Sequence, residues 1–164
     1  DLHLPASYVG LIYMAGSLSG LLVALKAQKL IEMFGIGKVL IVSTIMISIG
    51  WLTIPVAGGL LGTPMILIII GMFVTGSGNT LHNITMRTVT QTLTPDELLG
   101  RVNASTRFLA MGALPIGSLL GGIGGTIIGV QTSLIIAGLG MLFAWLWLYF
   151  SPLRYMNDLA LIDT

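Results

Sequence analysis

The residues with the most chemical capacity in this sequence lie close together: Thr75, Asn79, His82, Asn83 and Arg87, within the stretch TGSGNTLHNITMR. Each sits in or at the edge of a long apolar run. At 100° per residue, these five and Thr90 fall within a helical sector of about 140°. Asparagine amides offer both donors and acceptors, so Asn79 and Asn83 can meet either kind of polar group on a solute. His82 carries an imidazole, which titrates near neutral pH when unperturbed. A single polar face on an apolar helix in hydrocarbon lines either a water-filled cavity or a polar contact between helices. The first alternative makes the five residues a candidate substrate pathway. The second makes them interhelical hydrogen-bonding groups, with His82 a packing residue and Arg87 reaching for the interface.

Catalytic chemistry has no comparable set. No Asp or Glu lies inside an apolar run, and the chain has no cysteine. His3 and His82 form no recognisable metal motif, so neither a metal nor a cofactor is expected. The string Gly121-Gly122-Ile123-Gly124-Gly125 matches neither GxGxxG nor the Lys-Ser/Thr ending of a phosphate loop. Asn83-Ile84-Thr85 and Asn103-Ala104-Ser105 fit the glycosylation pattern, but one falls in a span and the other on the basic side.

The elements that must position the polar face follow from composition. Of 164 residues, 55% are hydrophobic and 8% charged, with a net charge of +1. An ordinary soluble domain has roughly 25% charged residues. A water-soluble enzyme, a disordered chain and a nucleic-acid binder are all excluded at this balance, and the class is integral membrane protein in contact with a lipid bilayer. Residues 2–25, 39–86 and 108–153 contain no Asp, Glu, Lys or Arg. A transmembrane helix needs about 20 apolar residues, so these runs hold one, two and two spans. Turns at Gly58 to Pro64 and near Gly129 divide the longer runs. The expected spans are roughly 6–28, 39–58, 65–89, 105–127 and 131–151, in one bundle over residues 1–164.

All seven basic residues (Lys26, Lys29, Lys38, Arg87, Arg101, Arg107 and Arg154) fall at one set of span ends. The positive-inside rule makes those ends cytoplasmic, with the N-terminus outside and the C-terminus inside. Thr94-Pro95-Asp96-Glu97 reads as a capped helix start, opening a short surface helix through Leu98, Leu99 and Val102. KAQKLIEMFGIGK reads as a loop with Lys29 and Glu32 three residues apart and a tight turn at Gly35 and Gly37. Gly117, Gly121, Gly125 and Gly129, four apart, form a face for close helix approach, preceded by a kink at Pro115. Gly16 and Gly20 repeat the spacing. Trp145, Trp147, Tyr149 and Phe150 form an interfacial anchor before Ser151-Pro152. Asp1 is not an initiator Met and no signal peptide leads the chain, so a fragment of a longer protein is expected.

The stretch QTLTPDELLGRVNASTRFLAMGALPIGSLLGG, with a later SPLR at Ser151 to Arg154, resembles the major facilitator superfamily. The branch it looks closest to holds bacterial drug, macrolide and siderophore exporters. Their segment between the tenth and eleventh helices is matched here by Gln91, Thr94, Pro95, Leu99, Gly100, Arg101, Val102, Ala104 and Arg107. KAQKLIEMFGIGK stands where that family has Asp-Arg-x-Gly-Arg-Arg, with only Gly35 and Lys38 echoing it, so no gating salt bridge is carried over. The resemblance implies an all-α bundle of five transmembrane helices and a short cytoplasmic surface helix, equivalent to helices eight to twelve of a twelve-helix transporter. It implies a tenth helix lining the cavity and ninth and twelfth helices facing lipid. It further implies an efflux permease or antiporter in the bacterial inner membrane, with the N-terminal half of the transporter as partner. Small hydrophobic substrates and a proton gradient come with it. A structural or assembly subunit that binds partner helices is the alternative, and a membrane-embedded enzyme lacks a catalytic pair.

Overall fold

The computed structural model describes residues 6–60 and 64–150, and every regular element among them is a helix. In chain order these are α1 (Ala6–Ala24), α2 (Ala27–Phe34), α3 (Ile36–Leu60), α4 (Pro64–Leu93), α5 (Asp96–Ile127) and α6 (Val130–Phe150). Ile36–Ala57, Met65–Leu93 and Asp96–Ile127 are each long and apolar enough to cross a membrane. Gly10–Ala24 and Ala27–Phe34 meet that test as one span bent by 59°. In α6 the shorter stretch Val130–Ala144 is apolar. The chain is a multi-pass membrane protein.

Several sequence expectations need correction. The first span does not run to residue 28. It ends at Ala24, where the Lys26 amide bonds the Val23 carbonyl three residues back at 3.0 Å and tightens the turn. What read as a loop after it is the amphipathic helix α2. Its Ala27 and Ile31 are buried against Ile36, Val39, Leu40, Leu81 and Val89. Gly35 then turns the chain at φ 80°, and Gly37 already belongs to α3.

The short surface helix is likewise not separate. Asp96 to Ile127 form one continuous helix of 32 residues. Gly100 is the weakest helix former between Leu98 and Thr106, and one glycine costs about 1 kcal/mol, too little to stop a helix. The Thr94 cap and its capping box do not form either. Pro95 is the N-cap and no side chain bonds the helix start. The helix also runs through Pro115 without a break.

At the hairpin between α3 and α4 the helix extends to Leu60, past the expected end at residue 58, and residues 61–63 lie outside the described ones. The turn near Gly129 is present, with φ 86° at that glycine. His3 and Ser151 to Arg154 lie outside the described residues, as do the side chains of Trp145, Trp147 and Tyr149.

The packing centres on α4, with α1 on one side and α3 on the other, while α6 lies against α3. Among the described residues α5 meets chiefly α6 and, more weakly, α4, and no residue of its apolar window is buried. With 30 and 32 residues, α4 and α5 are about 45 Å long, against a hydrocarbon core of about 30 Å. Their excess length puts Arg87, Arg101 and Arg107 near the turn that joins them.

Small residues allow the close packing. A Cβ added at Gly76 of α4 would overlap the Gly16 carbonyl of α1 and lie 2.6 Å from Ser19 Oγ. On the other face, a Cβ at Gly78 would lie 2.9 Å from the Ser43 carbonyl of α3. Gly50 meets Thr75, and Gly71 meets Thr53. Such close approach replaces the hydrophobic driving force that is missing between helices in lipid.

Candidate functional site

The helix register divides the polar face of α4 between its two neighbours. Thr75 is buried and donates from Oγ1 to the Gly71 carbonyl at 2.9 Å. It lines a cleft of about 750 Å³ between α1 and α4, with Tyr13, Ser17, Asn79 and Thr80, and Trp51 of α3 at the rim. A second cleft, of about 660 Å³, lies between α3, α4 and α6. Thr44, Asn79, His82, Met141 and Phe143 line it. Asn79 is the residue common to both, and it is exposed to the space between them.

His82 is held from α3. Its Nδ1 lies 3.4 Å from Ser43 Oγ and 3.5 Å from Thr44 Oγ1. Both hydroxyls donate to the Leu40 carbonyl at 2.9 Å. Their lone pairs are thereby left for an Nδ1–H donor. Asn83 is differently placed. It is exposed, lines neither cleft, and donates from Nδ2 to the Asn79 carbonyl at 2.8 Å. Arg87 is exposed at the basic end and borders neither cleft. Of the five candidates, the structure brings Thr75, Asn79 and His82 to cavities and leaves Asn83 and Arg87 outside them.

The remaining candidates separate by neighbour. Gly16 and Gly20 lie against α4, where their Cβ positions would be 3.2 Å from the Met72 carbonyl and 2.6 Å from Thr80 Oγ1. No atom comes within 4 Å of the Cβ positions of Gly117 and Gly121, and Gly125 meets only Val130 at 3.6 Å. Within the described residues the glycine face of α5 packs against no other helix along most of its length. In the joining segment, Gln91, Pro95, Gly100, Arg101 and Arg107 are exposed and Thr94 is half-buried.

Sequence reasoning missed Ser43, Thr44 and Ser48. Their run of α3 was read as apolar and lipid-facing, yet all three are buried. Ser48 Oγ contacts the Thr44 carbonyl at 2.9 Å and the Met141 carbonyl of α6 at 3.1 Å, tying α3 to α6. With Thr44, Met141 and Phe143 at the second cleft, α3 and α6 help to shape the cavity. The spacing Ser43, Thr44, Ser48 within one helical face was the available signal. Tyr13 and Trp51 carried none, since isolated aromatics in a span are common anchors.

What the arrangement can do is limited by its chemistry. Neither cleft is lined by a charged side chain. Among the described residues no cluster of His, Asp or Glu can hold a metal. Every buried side-chain polar atom described has a partner. The clefts therefore present neutral hydroxyl and amide groups beside aromatic and aliphatic surface, which suits reversible binding of an organic solute.

The profile of the Major Facilitator Superfamily matches residues 1–160. Neither the curated proteins nor the solved structures include one that matches the chain. The family match spans nearly the whole sequence, and the chain belongs to the major facilitator superfamily of membrane transporters.

Proposed function

From membership of the major facilitator superfamily we propose that this chain is the C-terminal part, helices eight to twelve, of a twelve-helix efflux permease for small hydrophobic molecules. In this reading α1, α3, α4, α5 and α6 are the five spans. The basic turns are cytoplasmic. The two halves rock about a site near the midplane, as secondary transporters do. The resemblance of Gln91 to Arg107 to the exporters' joining segment supports the efflux branch.

The observation that carries the reading is the position of Asn79. It lies between two clefts that are lined by uncharged groups. Its amide can donate to or accept from a solute, while the apolar walls favour a hydrophobic body. His82 and Thr75 frame it from either side. Asn83 serves to fix the backbone below Asn79 and contributes less to binding.

If a proton gradient drives export, the coupling carboxylate lies outside these spans, since no Asp or Glu occupies their interiors. The test is dye accumulation in cells that express the full-length transporter, at matched membrane abundance. Asn79→Ala is expected to raise intracellular dye towards the level of cells without the transporter. Accumulation unchanged from wild type would sink the assignment of Asn79.

A further inference from the structure

We propose that α2 is an interfacial element whose Lys26–Lys29 flank holds anionic phospholipid headgroups. At 100° per residue, Lys29, Met33 and Lys26 fall within about 60° of one another, and Ala27 and Ile31 lie roughly a third of a turn beyond them. The second group is buried in the protein core, whereas Lys26, Lys29 and Met33 are exposed, Met33 at 65%. Gln28 and Glu32 take the remaining flank, where Gln28 Nε2 donates to Glu32 Oε1 at 3.1 Å. The single acid of the helix is thereby paired with a neutral amide. Lys26, Lys29 and Lys38 make no ion pair among the described residues.

Three further features point to a lipid surface as the occupant. The 59° bend between α1 and α2 turns α2 away from the direction of α1. Leu25 and Phe34, at the two ends of the helix, expose 78% and 52% of their surface. Bulky apolar groups beside unpaired lysines match an interfacial helix, with the apolar groups in the acyl boundary and the ammonium groups at the phosphates. Lys38, exposed at the start of α3, extends the positive charge past the Gly35 turn. Charge complementarity selects anionic headgroups over zwitterionic ones, and juxtamembrane lysines are the groups that such lipids attract.

The full-length protein, reconstituted in nanodiscs, provides the test. These 164 residues contain no cysteine, so a Met33→Cys label is unique within them. Quenching of a fluorophore there is compared for nitroxide-headgroup phosphatidylglycerol and the matching phosphatidylcholine. Preferential quenching by phosphatidylglycerol is expected. Each lysine removed in K26Q/K29Q/K38Q should lower that preference, by up to roughly fivefold per lysine. K26R/K29R/K38R keeps the charge and should keep the preference. A label at Gln28→Cys, on the other flank, should show less of it. Equal quenching by the two lipids in the wild-type background would overturn the proposal. So would a preference retained in the glutamine variant, and so would quenching by neither lipid, because the face would then be covered by another part of the protein.

Discussion

Gly76→Ala should separate α1 from α4, and its size can be worked from the contacts. The new methyl would overlap the Gly16 carbonyl, with the Gly16 carbonyl carbon at 2.7 Å and Ser19 Oγ at 2.6 Å. Backbone atoms cannot swing aside as a side-chain end can, so the helices must part by about an ångström along a buried seam. Overpacking of this kind costs about 1–3 kcal/mol, and a rigid backbone neighbour places it near the top of that range. Alanine also recovers about 1 kcal/mol of helix propensity over glycine. The net expectation is a loss of about 2 kcal/mol. Gly100→Ala is the control, because nothing lies within 4 Å of its Cβ position. It should gain up to about 1 kcal/mol. The gap of about 3 kcal/mol corresponds to roughly 150-fold in the folded ratio. Titration of the purified protein with sodium dodecyl sulfate, followed by circular dichroism, measures both variants. If the two midpoints agree within error, α1 and α4 are not in contact at Gly76.

Other consequences follow from the same geometry. Asn79→Ala should lower transport more than Asn83→Ala, since only Asn79 reaches the clefts; flux of each variant at equal abundance checks the order. Ser48→Ala removes the contact with the Met141 carbonyl and should cost about 0.6 kcal/mol, the usual worth of a hydrogen bond between membrane helices, in the same detergent titration. Gly35→Ala and Gly129→Ala place a Cβ at φ 80° and φ 86°. Gly35, at φ 80° and ψ 153°, lies in a region that essentially only glycine adopts, so each substitution should cost about 1–3 kcal/mol, in contrast to Gly112→Ala, where the position is open and no loss is expected.

Much of this architecture was legible because the bilayer imposes it. Apolar runs of sufficient length must be helical, and the charges mark where they end. The ends of α3, α4 and α6 fall within a few residues of the positions expected from those runs. What stayed hidden depends on pairing. Gly76 and Gly78 differ by two positions in the sequence, yet one faces α1 and the other α3. A single sequence does not say which helix covers which side. The same limit explains why Ser43, Thr44 and Ser48 passed as part of an apolar run. Their hydroxyls bond carbonyls one turn back within the helix, so they sit in hydrocarbon at little cost. Helix α2 was missed for another reason. Eight residues between lysines look like a solvated loop unless Ala27 and Ile31 are known to meet a core.

The polar face of α4 was legible as a set, but not its division. Periodicity groups Thr75, Asn79, His82, Asn83 and Arg87 on one side of a cylinder. Only the tilt and neighbours of that cylinder decide that Asn79 reaches both clefts while Asn83 turns its amide to a backbone carbonyl. Likewise the glycine spacing of α5 is regular in sequence, but among the described residues nothing lies within 4 Å of the Cβ positions of Gly117 and Gly121.

We propose that Asn79 lines a water-accessible pathway through the membrane. The direct measurement is thiol accessibility in the full-length protein, since these 164 residues contribute no cysteine of their own. Asn79→Cys and Phe73→Cys are compared for their rates of reaction with a membrane-impermeant methanethiosulfonate. Phe73 is exposed on the same helix but borders neither cleft. Rapid modification at position 79 and slow modification at position 73 are expected. Equal rates at the two positions, or no reaction at 79, would contradict the proposal.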